Sequence, residues 1–306
     1  MEKINGVSQV EGKDNRFIES CFRVLQSKKV QINAEFESPV EGARIINNFF
    51  ASLDKATKNK EKMVQSLIAE ANQSLIPFDE FSWVKDDERA CYFLWASIYL
   101  YSYAAYPALA WDAPTLEFQP KYIHFYSQLN LKTNPSSSIE RFNEVVKYFD
   151  QVEQPRVWRL DLIAHLKGVW GQIFSSRKPF PWLEKDNDEQ CRWAWEYMRK
   201  SNIYISSKPM THQFSPTSTA EIYLAIYAIY DTWRIDYGTR RLFKSDFNKA
   251  WQQKKLRDGR QGKKACSLVL HEDVKLKLDE LAKTRKVTLS QLVEQLIEKE
   301  HRLKDN

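Results

Sequence analysis

The sequence predicts a mainly α-helical protein: a large all-α N-terminal body followed by a C-terminal module of one short strand and two helices. Three observations carry this. Apolar residues recur at helical spacing behind helix-start signals along most of the 306 residues. Only 8 Gly and 11 Pro are available for tight turns, too few for a β-rich chain. No βαβ alternation and no internal repeat is visible.

Residues 1–15 are polar, lack an apolar signal region and read as a flexible tail. Ser38-Pro39-Val40-Glu41 then gives an N-cap, a Pro in the first turn and a capping-box Glu. Behind it Ile45, Ile46, Phe49, Phe50 and Leu53 share one helix face. Met63, Val64, Leu67, Ile68 and Ala71 make a second stripe, stopped before Pro77. A third helix is expected over 87–106. It lies in an uncharged run, Ala90 to Trp111, long enough to span a bilayer. Five Tyr, two Ser and Pro107 in that run favour a buried core helix over membrane insertion.

The segment Lys132 to Ser138 is the clearest break and is expected to divide two helical subdomains, 16–131 and 138–251. Ser137-x-x-Glu140 caps the helix beyond it, and Ser218-x-x-Glu221 caps another. Further helices are expected over 156–174, 186–201, 218–235 and 245–256. The acidic runs at 86–88 and 186–189 read as helix starts that complement the dipole.

Residues 252–264, QQKKLRDGRQGKK, hold six basic residues, one acidic residue and two glycines, and read as a basic linker. From Trp251 onward the chain has 14 Lys+Arg and 9 Asp+Glu, whereas the preceding 250 residues have 32 and 31. A basic segment beside a neutral body points to an appended module that meets a polyanion.

The module covers 265–303. Ala265 to Leu270 alternates as a strand, with Cys266, Leu268 and Leu270 on one face and Ala265, Ser267 and Val269 on the other. Val274, Leu278, Leu281 and Ala282 form the stripe of a first helix, ended by the turn Thr284-Arg285-Lys286-Val287. Thr288 is the expected N-cap of a second helix, with Leu289, Leu292, Val293, Leu296 and Ile297 on its apolar face. About 40 residues of this kind cannot bury their apolar faces alone. A homodimer or higher homo-oligomer, with paired strands and four helices around one core, is the expected solution.

On SLVLHEDV, LDELA and TLSQLVEQLI, the segment 263–300 resembles the ribbon-helix-helix family of DNA-binding proteins, the Arc and MetJ type, and within it the MatP-type modules. The resemblance implies a two-stranded ribbon in the major groove of double-stranded DNA. Mapped here, Ala265, Ser267 and Val269 face base edges, with Lys263 and Lys264 just upstream. The backbone N–H groups of Thr288, Leu289 and Ser290 hold a phosphate. Lys286 and the linker's Lys254, Lys255, Arg257 and Arg260 add phosphate contacts. A helical hairpin used only for dimerisation is the plainer reading of the same pattern.

The body does not converge on a known chemistry. No P-loop, G-x-S-x-G or H-E-x-x-H occurs. Cys21, Cys91, Cys191 and Cys266 are scattered and read as free thiols in a reducing cytoplasm. His124 and His212 have no metal-ligand partners at useful spacing; Asp161 and His165 lie four apart, the spacing of one helix face, and His165 reads as a surface or half-buried residue and not as a catalyst. No cofactor and no metal is therefore expected. The aromatic wealth, Trp170, Trp182, Trp193, Trp195 and Trp233 included, reads as core plus a protein interface. Two functions follow: a cytoplasmic, nucleoid-associated DNA regulator or organiser whose body oligomerises or binds a protein partner, or an effector or enzyme that uses the module for autoregulation or DNA targeting.

Overall fold

The computed structural model describes residues 3–4, 7–53, 59–100, 126–174, 178–201, 203–205, 208–259, 262, 264 and 266–304. They are mainly helical and divide into two compact units, Met1–Asn248 and Lys249–Asn306.

The N-terminal unit holds two apolar cores. The first joins α1 (Asn15–Ser27), α2 (Pro39–Ser52) and α3 (Lys60–Ser74). Ile18, Cys21, Phe22 and Leu25 bury one face of α1, and Ile46 and Phe50 meet it from α2. The cap at Ser38 forms as expected: its Oγ accepts the Glu41 N–H at 3.2 Å, while the Glu41 carboxylate accepts the Glu37 N–H at 3.0 Å. The expected tail is corrected. Lys3–Ile4 (β1) pairs antiparallel with Val7–Ser8 (β2), and Val10 is buried in this core. The Asn47 amide takes both backbone groups of Val10, at 2.9 and 3.0 Å, and so replaces the solvent a free tail would need.

The second core runs from Ile76 to Phe247. It is entered through a 3-10 turn, Phe78–Phe81, and the one-turn α4 (Ser82–Lys85). At its centre is α5 (Glu88–Leu100), which starts where the Asp87 carboxylate accepts the Ala90 N–H. Every residue from Ala90 to Ile98 is buried, the signature of a helix enclosed on all sides. Among the described residues no helix is long and apolar enough to cross a membrane. The rest of the uncharged run, 101–111, lies outside them, as does His124. Packed around α5 are α6 (Ser138–Gln151), α7 (Arg156–Phe174) and α9 (Thr219–Thr232), with α8 (Asp188–Lys200) against α9. A two-residue hairpin, Tyr204–Ile205 (β3) with Lys208–Pro209 (β4), and a 3-10 turn, Met210–Gln213, precede α9. Ser137, Asn187 and Ser218 cap α6, α8 and α9 through their side chains.

The division expected at 132–138 does not coincide with a division of the core. Leu131 and Val145 belong to one cluster, and the cores part between Ala71 and Ile76. The loop is stitched to its own core: Tyr126 Oη donates to the Lys132 carbonyl at 2.9 Å, and the Lys132 N–H donates to Glu144 at 3.0 Å. The two cores are joined instead by Arg16, which grips Asp150 with a bidentate pair and also donates to the Ile76 carbonyl.

The helix expected over 245–256 forms within α10, Tyr237–Asp258, which takes up the first residues, 252–258, of the segment read as a linker. Lys, Gln, Arg and Leu propagate a helix well, and the Lys254–Asp258 pair spans its last turn. The C-terminal unit then forms α11 (Glu272–Arg285) and α12 (Leu289–Lys304).

Candidate nucleic-acid interface

The joint between α11 and α12 is built from short-range chemistry. Lys286 adopts φ 53°, ψ 40°, the left-handed conformation usually taken by Gly. Its N–H donates to the Lys283 carbonyl at 3.2 Å, and the Val287 N–H to the Ala282 carbonyl at 3.1 Å. This pair of bonds is a Schellman closure. Lys286→Gly should therefore raise the melting temperature of this unit, since a left-handed non-glycine residue costs about 1 kcal/mol. A lowered melting temperature would contradict the backbone argument.

Thr288 and Gln291 cap α12 reciprocally. Thr288 Oγ1 accepts the Gln291 N–H at 3.3 Å, and Gln291 Oε1 accepts the Thr288 N–H at 2.9 Å. The expected phosphate site is corrected accordingly: the Thr288 N–H is already spent, which leaves Leu289 and Ser290 at the positive end of the helix dipole. Lys283, Arg285 and Lys286 are exposed beside this helix start in the chain. Lys283 and Arg285 were not among the expected contacts, although the run Lys283-Thr284-Arg285-Lys286 carried the signal.

The segment Cys266–Leu270 has no regular structure in the single chain, so the expected strand is not formed there. A ladder needs a second strand, and the described strands pair only β1 with β2 and β3 with β4. The expected buried face is exposed too: Leu268 is 54 % and Leu270 40 % exposed, and Cys266 is open. Ser267 is exposed, and Val269 fully so at 99 %. Lys264 is exposed, whereas Lys263, Ala265 and Arg260 lie outside the described residues.

Lys255 and Arg257 are exposed on the last turns of α10. Lys254 is committed, with its ammonium against Asp258 and 5.6 Å from the Trp251 ring centre. The charge of the C-terminal unit is concentrated: residues 265–306 hold eight basic and eight acidic residues, so the excess rests in 252–264. Several cations of the two helices are tied down locally, as in the pairs Lys275–Asp279, Lys277–Asp273 and Arg302–Glu298.

Among the described residues, no group of three His, Cys, Asp or Glu side chains could hold a metal ion. Asp161 and His212 are exposed and His165 is half-buried. Trp170 and Trp233 are buried, and Trp182 and Trp193 pack on Phe247 at 5.3 and 5.8 Å, as packing residues should. Burial pushes the Cys21 and Cys91 thiols up to about 12 and Cys191 up to about 11. The thiolate is the nucleophile. A thiol reagent at pH 8 should therefore modify Cys266 alone in the native protein, and all four cysteines in denaturant.

No family model matches the chain, and no curated protein or solved structure is significantly similar to it.

Proposed function

We propose that the protein is a homodimeric binder of double-stranded DNA, a regulator or organiser, whose 265–270 segments pair as a ribbon in the major groove. The observation that carries this reading is a half-built core beside a basic segment. Val274 and Leu281 of α11 are 42 % and 41 % exposed, and Leu296 and Ile297 of α12 are 38 % and 63 % exposed. Together with Leu268 and Leu270 they form an apolar set that a second copy would cover. Pairing two copies would also satisfy the unpaired backbone of 266–270 and bury Cys266.

In that arrangement Ser267 and Val269 face base edges, where one hydrogen bond or methyl contact supports modest sequence preference. Lys255, Arg257, Lys264 and Lys286, with the α12 start, serve the phosphates. The helical body would then supply cooperativity between dimers or bind a protein partner.

The test is an anisotropy titration of the full chain on duplex DNA across a salt series. With about 6–8 phosphates neutralised per dimer, log K should fall with a slope of roughly −5 to −7 against log salt. Lys255→Ala and Arg257→Ala each remove two cations per dimer and should each reduce that slope by about 2, and Ser267→Ala should relax preference at one base pair per half-site. A slope near zero would remove the electrostatic half of the reading. The other half is read from Cys266, whose alkylation should slow as protein concentration rises and the ribbon forms. A rate independent of concentration would count against the dimer.

A further inference from the structure

Of the net charge of +6 on the whole chain, +5 sits on one helix. α10 holds seven basic and two acidic residues, whereas the 236 residues before it hold 28 and 30. Its inner face is apolar: Phe243 and Phe247 pack in the second core, and Trp251 is buried. At about 100° per residue, Arg241, Lys244, Lys249 and Lys255 fall on one arc of about 140°. All four are exposed, and neither Asp246 nor Asp258 lies on that arc. From Arg241 to Lys255 the face is about 21 Å long.

Two ordinary reasons for surface cations fail here. Cations in the last turns of a helix offset its dipole, which accounts for Lys255. Arg241 and Lys244 stand instead in the second turn, towards the positive end, and no acidic residue occupies the first turn. Intrahelical ion pairs account for cations elsewhere, as in Arg192–Asp188 and Arg199–Glu196 of α8 and Lys275–Asp279 of α11. Among the described residues, Arg241, Lys244, Lys249 and Lys255 make no such pair, although Asp246 is three residues from Lys249. Arg240 and Lys244, at i and i+4, repel each other. A partner that relieves this repulsion must carry negative charge along the whole face. Duplex DNA presents one charge per about 1.7 Å of its axis, whereas a small anion would meet only one or two of the four cations.

We propose that this face of α10 tracks the phosphate backbone of DNA and adds phosphates outside the base pairs met by the ribbon. The inference rests on the DNA reading above, which already uses Lys255; Arg241, Lys244 and Lys249 are the additions. Contacts of this kind position the protein and read no sequence.

The experiment is an anisotropy titration of the full chain on duplexes of about 12 and about 40 base pairs with one shared central sequence, across a salt series, at one dimer per duplex. The short duplex spans little more than one helical turn, and its slope should stay at roughly −5 to −7. On the long duplex the slope should steepen by about 5, for about six more phosphates met by two copies. The triple variant Arg241→Gln, Lys244→Gln, Lys249→Gln should lose that steepening and keep the slope of the short duplex. Gln propagates a helix well and all three positions are exposed, so its melting temperature should match the wild type. No binding to either duplex at low salt would remove the DNA reading and this inference with it. Binding with equal slopes for wild type and variant on the long duplex would overturn the α10 face alone. An equal loss on both duplexes would place these cations within the ribbon's own base pairs and overturn the extended contact. Polyglutamate bound by the wild type and not by the variant, with no change on DNA, would assign the face to an acidic protein.

Discussion

Leu292→Asp is expected to unfold the C-terminal unit while leaving the melting of the N-terminal unit unchanged. Leu292 is fully buried, and Ala282 is the buried apolar residue that α11 contributes. Losing a buried Leu side chain costs about 2–5 kcal/mol, and the carboxylate left in its place adds the penalty of an unpaired buried charge. Two helices of 14 and 16 residues cannot absorb that loss, because a core this small supplies only about 3–5 kcal/mol. Leu296→Asp makes the contrast. Leu296 is 38 % exposed in the single chain, so this change should leave the hairpin folded but prevent two copies from joining. Hydrogen exchange would show α11 and α12 amides unprotected in Leu292→Asp and protected in Leu296→Asp, and sedimentation would show the latter monomeric. If both variants dimerise, the apolar face described above is not the interface.

The helix starts were legible because caps are local. Ser38, Ser137 and Ser218 each place a hydroxyl three residues before a Glu, and the geometry needs nothing else. The span 156–174 was legible because Pro155 and the apolar spacing bracket it. Non-local features were not legible. Lys132 to Ser138 reads as a boundary by composition, yet Tyr126 and Glu144 fasten it inside one core. The helix expected over 245–256 starts earlier, at Tyr237, and runs on to Asp258, because a helix once nucleated continues through residues without an apolar stripe. In the candidate interface, the alternation of 265–270 gives two faces. In the single chain both faces are exposed, so the alternation alone does not show which is covered. The cap at Thr288 was visible, but its reciprocal bond from Gln291 is what removes one of three expected N–H donors.

The buried ion pairs lie furthest from sequence reasoning, and one of them sets the second large effect. Arg141→Leu is expected to destabilise the N-terminal unit by about 3–5 kcal/mol, or roughly 10 °C in Tm. Arg141 is wholly buried between α6 and α9, 80 residues from its partner Glu221. It also donates to the Pro135 carbonyl at 3.3 Å and lies 3.8 Å from the centre of the Tyr92 ring. Removing it strands a carboxylate that is itself 7 % exposed. Burial already pushes the Glu221 carboxyl above its ordinary range, and Arg141 is what draws it back. Without Arg141 the carboxyl must rise further. A carboxyl raised in the folded state binds more protons there than in the unfolded chain, so stability falls as pH climbs from the ordinary carboxylate value through the folded one. The deficit of Arg141→Leu should therefore be largest at pH 8 and shrink towards pH 5. Adding Glu221→Leu should recover much of the loss and erase the pH dependence, because no charge is then left buried. Thermal melts of the three variants across that range decide it. A deficit that grows on acidification, or a double variant weaker than Arg141→Leu alone, would show that the cost comes from lost packing against Tyr92 and not from a stranded charge.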